Sequence, residues 1–197
     1  MDIRLNNELL DNFKLINHEY LVDKDYYDLE SGKQEYRLYS YLSTLFENIT
    51  ILDIGTYTGR SAVSFSHNEK NKVISYDIND CINNNNHNIY TKSNIEFRIE
   101  NVLDYINKEF LKNVKIILID IDHFYTIEKE IIDKLKELNY DGLILLDDII
   151  HPSPREFEAM QKLWNEIKDE KYNITKYGHW SGTGLVNLSK DINIILE

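Results

Sequence analysis

Five short apolar runs in this 197-residue sequence end on a carboxylate or a carboxamide. Asp53 closes the first, Asp77 the second, Asn101 the third, Asp120 the fourth and Asp147 the fifth. Carboxylates left half buried and unpaired are costly, so packing alone is a poor reason for this register. In an open α/β sheet, ligands bind beyond the carboxyl ends of the strands. Asp120, Asp147 and Asp148 would stand at the ends of neighbouring strands. Oxygens converging from two strands suit a hard cation such as Mg²⁺, which needs few protein ligands. The same carboxylates could instead hold a substrate amine or loop N–H groups. No G-x-S-x-G elbow occurs, which disfavours a serine hydrolase.

The elements that must carry these residues read as alternating strands and helices. The stretch ILDIGTYTGRSAVSF is a buried strand, a glycine turn and a helix opening on Ser61, Ala62, Val63 and Phe65. Gly55 and Gly59 bracket the turn, where missing Cβ atoms let backbone N–H groups approach a ligand. Their spacing is not G-x-G-x-x-G, and such a turn can also serve only to pack a helix on a sheet. Asp77 ends the next strand, placed to accept from ribose hydroxyls or, alternatively, to cap a helix or stand solvated in a loop. Ile95, Phe97 and Ile99 alternate with Glu96 and Arg98 as a half-buried strand does. Asn101 beyond it offers a donor and an acceptor to the edge of a base, and Asp104 reads as the cap of a helix over 105–111. Residues 114–119 are apolar almost throughout, as a central strand covered on both faces must be. An amphipathic helix over 126–138 turns Ile127, Ile131, Leu135 and Leu138 one way. A further helix follows Pro154, with Phe157, Met160, Leu163, Trp164 and Ile167 inward. Two closing strands flank a loop over 178–182, too short for a crossover, so the pairing there is antiparallel. His179 and Trp180 in that loop either overhang the crevice or form a surface tip.

Residues 1–48 read as helices packed on a main domain of residues 49–197, one compact domain in all. Leu5, Leu9, Phe13 and Ile16 share a helical face, as do Leu38, Leu42 and Leu45. Ser31 and Gln34 have the spacing of a capping box. These helices cover a sheet edge, or Gly32, Lys33, Glu35 and Tyr36 also line the ligand pocket; both readings stay open. The net charge of -12 disfavours nucleic acid and anionic membranes as partners. A single cysteine, no signal-like start and no run of about 20 apolar residues point to a soluble, cytoplasmic protein.

From about residue 35 onward the sequence resembles class I S-adenosylmethionine (SAM)-dependent methyltransferases. ILDIGTYTG is similar to their first motif, VISYD to the second, IENVLDYI to the third, IILIDIDH to the fourth and GLILLDDI to the fifth. The resemblance implies a doubly wound, seven-stranded, mostly parallel sheet whose last strand is antiparallel, with helices on both faces; the residues before it add the N-terminal helical extension read from their periodicity. It implies that Asp53, Gly55, Thr56 and Gly59 hold the methionine part of SAM, Asp77 the ribose and Asn101 the adenine. Tyr57, Ser61, Ile78, Val102 and Asp120 complete the cofactor-binding set. The middle glycine common in the first motif is missing, with Tyr57 nearby as a substitute wall, and Asn101 replaces the usual aspartate. D-x-D-H-x-Y followed by an acidic pair is closest to small-molecule O-methyltransferases of the catechol, caffeoyl-CoA and sugar types. Carried over, Asp120, Asp147 and Asp148 bind the metal. His123 stands where the catechol-type enzymes have a lysine base, and a histidine titrating near neutrality can deprotonate a hydroxyl. The expected function is methyl transfer to an oxygen of a small acceptor, a sugar or glycan precursor among them, with a homodimer as the assembly in view. An aminopropyltransferase on the same fold and a non-catalytic SAM-binding module are the alternatives.

Overall fold

A computed structural model describes residues 1–11, 25–84, 88–150 and 153–197. In chain order, β1 (Asp2–Leu5) and α1 (Asn7–Asp11) are followed by α2 (Tyr36–Thr44), β2 (Thr50–Ile54) and α3 (Arg60–Phe65). Next come β3 (Lys72–Asp77), α4 (Cys81–Asn84), β4 (Ile95–Ile99), α5 (Lys108–Leu111), β5 (Val114–Ile119) and α6 (Thr126–Glu137). The chain continues through β6 (Leu143–Leu146), α7 (Pro154–Glu166), β7 (Glu170–Asn173), β8 (Gly184–Asn187) and β9 (Asn193–Leu196).

Seven strands form one sheet in the order β4-β3-β2-β5-β6-β8-β7. The pairs β3–β4, β2–β3, β2–β5 and β5–β6 are parallel, and β8 runs antiparallel to both β6 and β7. The parallel centre follows from its sequence, since strands buried on both faces must be apolar at successive positions. Alternate side chains then sort into two cores. Ile51, Val73, Leu118 and Leu145 pack with Leu38, Leu42, Ala62 and Phe65 of α2 and α3. Leu52, Ile54, Ile117 and Ile119 pack with Ile131 and Leu135 of α6 and Met160 and Leu163 of α7. Helices thus cover both faces, as the resemblance implies.

Several local expectations change. Leu5 lies in a strand, not on a helix face with Leu9: β1 pairs in parallel with β9 as a separate two-stranded sheet, from Asp2↔Asn193 to Leu5↔Leu196. The burial of Ile3 and Leu5 against exposed Asp2 and Arg4 has the strand period of two. Phe13 and Ile16 lie outside the described residues. Ser31 does not cap α2; its backbone N–H and hydroxyl donate to Asp11 Oδ1 at 2.7 and 2.8 Å. Asp104 caps no helix either. Asn101 accepts from the Leu103 N–H and caps a 3₁₀ turn, and Asn107 accepts from Glu109 and Phe110 to cap α5. Ile127 and Phe157, expected inward, are partly exposed. No helix among the described residues is long and apolar enough to cross a membrane.

Candidate functional site

The turn between β2 and α3 is built on close approach. Gly55 has φ +94°, and a Cβ there would stand 1.6 Å from the Asp120 carbonyl oxygen. Gly59, at φ +86°, would bring a Cβ to 2.4 Å from Ile89 Cδ1. Tyr57 between them takes a left-handed φ of 44° and donates its N–H to Asp77 Oδ2 at 2.9 Å. Asp77 Oδ1 accepts the Asn79 N–H at 2.9 Å. Asp77 is therefore the turn-capping aspartate that its type allows, and it also faces a cleft. Asp53 lies fully buried beneath the turn, where Oδ2 accepts from Ser75 Oγ at 2.6 Å and Oδ1 has no partner. Burial holds its pKa above the usual carboxylate value, against the hydrogen bond from Ser75 and the nearby hydroxyls of Ser61 and Thr56.

Two clefts open at the carboxyl edge of the sheet. The larger, of about 930 Å³, is lined by Gly55, Tyr57, Asp77, Ile78, Asn101, Val102 and Asp120, all expected there from the sequence. The smaller, of about 410 Å³, shares Gly55, Tyr57 and Asp120 and adds Glu35, Tyr36, Arg60, Asp147, His179 and Trp180. Thr56 and Ser61 line this second cleft, and Asp53 and Gly59 line neither. Of the N-terminal candidates, Glu35 and Tyr36 reach the smaller cleft, whereas Lys33 pairs with Glu30 at 2.8 Å and Gly32 backs onto Lys176. His179 and Trp180 overhang the crevice.

Carboxylates crowd the junction. Asp147, Asp148 and His179 present ligand atoms within 4.8 Å of one another, with Asp120 outside that group. Asp148 Oδ1 lies 3.5 Å from His179 Nδ1 and also accepts from Ser181 Oγ. Burial disfavours the imidazolium of His179, but the carboxylates of Asp147 and Asp148 beside its ring and the charge of Glu35 outweigh it and push its pKa up to about 10. His123 lines neither cleft. Its Nε2 stands 3.6 Å from Asp120 Oδ1 and 3.5 Å from Asp148 Oδ2, behind the carboxylates. Its left-handed backbone is held by an N–H donated at 2.6 Å to Glu128, itself fully buried. Tyr125 and Asp148 are also left-handed. Strained residues of this kind cost about 1–3 kcal/mol each and gather where the surroundings over-determine them. Burial, then the charges of Asp147, Glu35 and Asp148, raises Asp120 well above the carboxylate range.

Glu35, 5% exposed, is pushed from 4.5 up to about 8 by burial and by Asp147. Between those values the folded chain keeps a proton that the unfolded chain has lost, so this contribution to stability falls as pH rises through the window. Glu35→Gln removes the slope. The variant is expected to gain roughly 2–4 kcal/mol over the parent at pH 8 and little at pH 4, read from urea denaturation at both.

No protein-family model matches the chain, and no curated protein matches it. Solved structures do. Cofactor-bound Rv0187 from MTB is 16% identical, with a TM-score of 0.60 over 78% of this chain and 79% of that one. The S-adenosylhomocysteine (SAH)-bound methyltransferase PaMTH1 of Podospora anserina is 13% identical, with a TM-score of 0.56 over 88% and 86%. The O-methyltransferase TomG of Streptomyces achromogenes, in complex with SAM, is 14% identical, with a TM-score of 0.54 over 77% and 78%. The chain has the fold of these SAM-dependent methyltransferases.

Proposed function

We propose that this protein moves a methyl group from SAM to an oxygen of a small acceptor, a hydroxyl compound such as a sugar. The observation that carries the reading is the meeting of two clefts at Gly55, Tyr57 and Asp120. The larger has the fittings for an adenosyl group. Ile78 and Val102 offer apolar walls for a planar base, and each oxygen of Asp77 keeps a lone pair beyond its one backbone donor. The solved structures of the same fold that hold SAM or SAH support this assignment.

The bound donor supplies an electrophilic methyl on a sulfonium, so the chain must align the acceptor oxygen with it and take the proton. Asp120, on the lining of both clefts, is placed to accept that proton. His123 behind it steadies the carboxylate and is the second catalytic candidate. A divalent cation fits the group of Asp147, Asp148 and His179, because the buried Asp147 Oδ1 has no hydrogen-bond partner. These residues would hold the ion, whose contribution would be to lower the pKa of the acceptor hydroxyl. The two carboxylates suit Mg²⁺ or Mn²⁺, and the imidazole of His179, once its proton is displaced, would shift the preference toward Zn²⁺.

Calorimetry with SAH tests the donor site: binding is expected, and Asp77→Ala should weaken it by about 10- to 100-fold. No heat with either SAM or SAH would end the proposal. Binding of decarboxylated SAM alone would move the reading to an aminopropyltransferase.

A further inference from the structure

We infer that the smaller cleft selects an acceptor bearing a positively charged amine, and that Glu35 holds that amine. The inference rests on the methyl-transfer reading and names the substrate class of its acceptor site. Glu35 lines this cleft, is 5% exposed, and its Oε2 has no hydrogen-bond partner. A buried carboxyl with an open oxygen is costly unless a donor, and best a cation, completes it.

The other carboxylates of this junction each have a histidine nitrogen within 4 Å. Asp120 faces His123 at 3.6 Å, and Asp148 is shared between His123, His179 and Ser181. Asp147 has His179 at 3.7 Å and belongs to the group that fits a metal ion. Arg60, a cation on the same lining, stacks at 4.6 Å over the Tyr26 ring and hydrogen-bonds the Tyr36 hydroxyl. Glu35, on the same lining, keeps Oε2 without a partner, and an ammonium would give it N–H donors and a compensating charge. Tyr26, Tyr36 and Trp180 supply aromatic walls on the same lining, and ring faces attract cations. A volume of about 410 Å³ suits one ring with a short amine-bearing arm. Such a compound would set its ammonium at Glu35 and its hydroxyl at Asp120.

Matched probes test this: tyramine against 4-ethylphenol, and glucosamine against glucose, titrated by calorimetry with and without saturating SAH. At least one amine is expected to bind about tenfold or more tightly than its neutral twin. Glu35→Gln should erase the difference and leave SAH affinity unchanged, while Glu35→Asp, which keeps a carboxyl group there, should retain part of it. Equal or absent binding of amines and twins by the parent protein, or a preference that survives in Glu35→Gln, overturns the inference. Absence of SAH binding instead removes the methyl-transfer reading, and the comparison without SAH still decides the role of Glu35.

Discussion

Alanine at position 55 is expected to destabilise the protein by about 4 kcal/mol or more, enough to unfold a marginal domain. Two effects add. The φ of +94° is one that a residue with a Cβ rarely adopts, and the new methyl would stand 1.6 Å from the Asp120 carbonyl oxygen. That oxygen belongs to backbone at the tip of β5, so it cannot swing aside as a flexible side chain could. Relief requires separating the two turns that form the floor of both clefts. Thermal and urea denaturation of Gly55→Ala would show the loss directly. A midpoint within a degree or two of the parent would mean that these turns are not in contact. The test needs no ligand and judges the geometry of the site independently of its chemistry.

Asp120→Asn is expected to lower the rate of methyl transfer by about 10²- to 10⁴-fold, the range for loss of a general base. The carboxamide keeps the shape but cannot accept a proton. Burial, with the negative charge of Asp147, Glu35 and Asp148, raises the pKa of Asp120. Only its ionised form accepts the proton. The rate should therefore climb with pH along a limb displaced upward from the carboxylate range, and that limb should vanish in the variant. Initial rates of SAH formation across pH, with SAH affinity measured alongside, check both statements. A kcat unchanged in Asp120→Asn would pass the role to His123, which stands 3.6 Å away.

The parts of this molecule visible in its sequence are those whose reasons are local. The strands β5 and β6 announce themselves because burial on both faces demands apolar residues in succession. The strand-tip residues Asp77, Asn101 and Asp120 could be placed on one edge once the strands were parallel, since chain direction then fixes which ends coincide. β1 was hidden because four residues carry too few periods, and Leu5 fits a helix face with Leu9 equally well. Its partner β9 lies nearly the whole chain away, and no local pattern signals that pairing. The same holds for His179, which joins Asp147 and Asp148 only because β8 folds back beside β6. Gly178 and Gly182 around His179 mark a tight loop but not the direction in which it leans. Glu35 was harder still. It precedes a helix whose buried face is explained by Leu38 and Leu42, and nothing in its neighbours says that a carboxyl is buried with them. His123 has the right sequence position, yet its left-handed backbone sets the ring behind Asp120.

The parallel pairing of β1 with β9 also orders events in time. Contacts between residues so distant along a chain form late, because the closure entropy of a long loop must be met first. During synthesis the seven-stranded sheet can assemble around β2, β3 and β5 while Asp2–Leu5 still waits for its partner. β1 gains its partner only when Asn193–Leu196 has been made. In a chain that stops short of Asn193, the amide hydrogens of Asp2–Leu5 should exchange freely while those of β2, β3 and β5 stay protected.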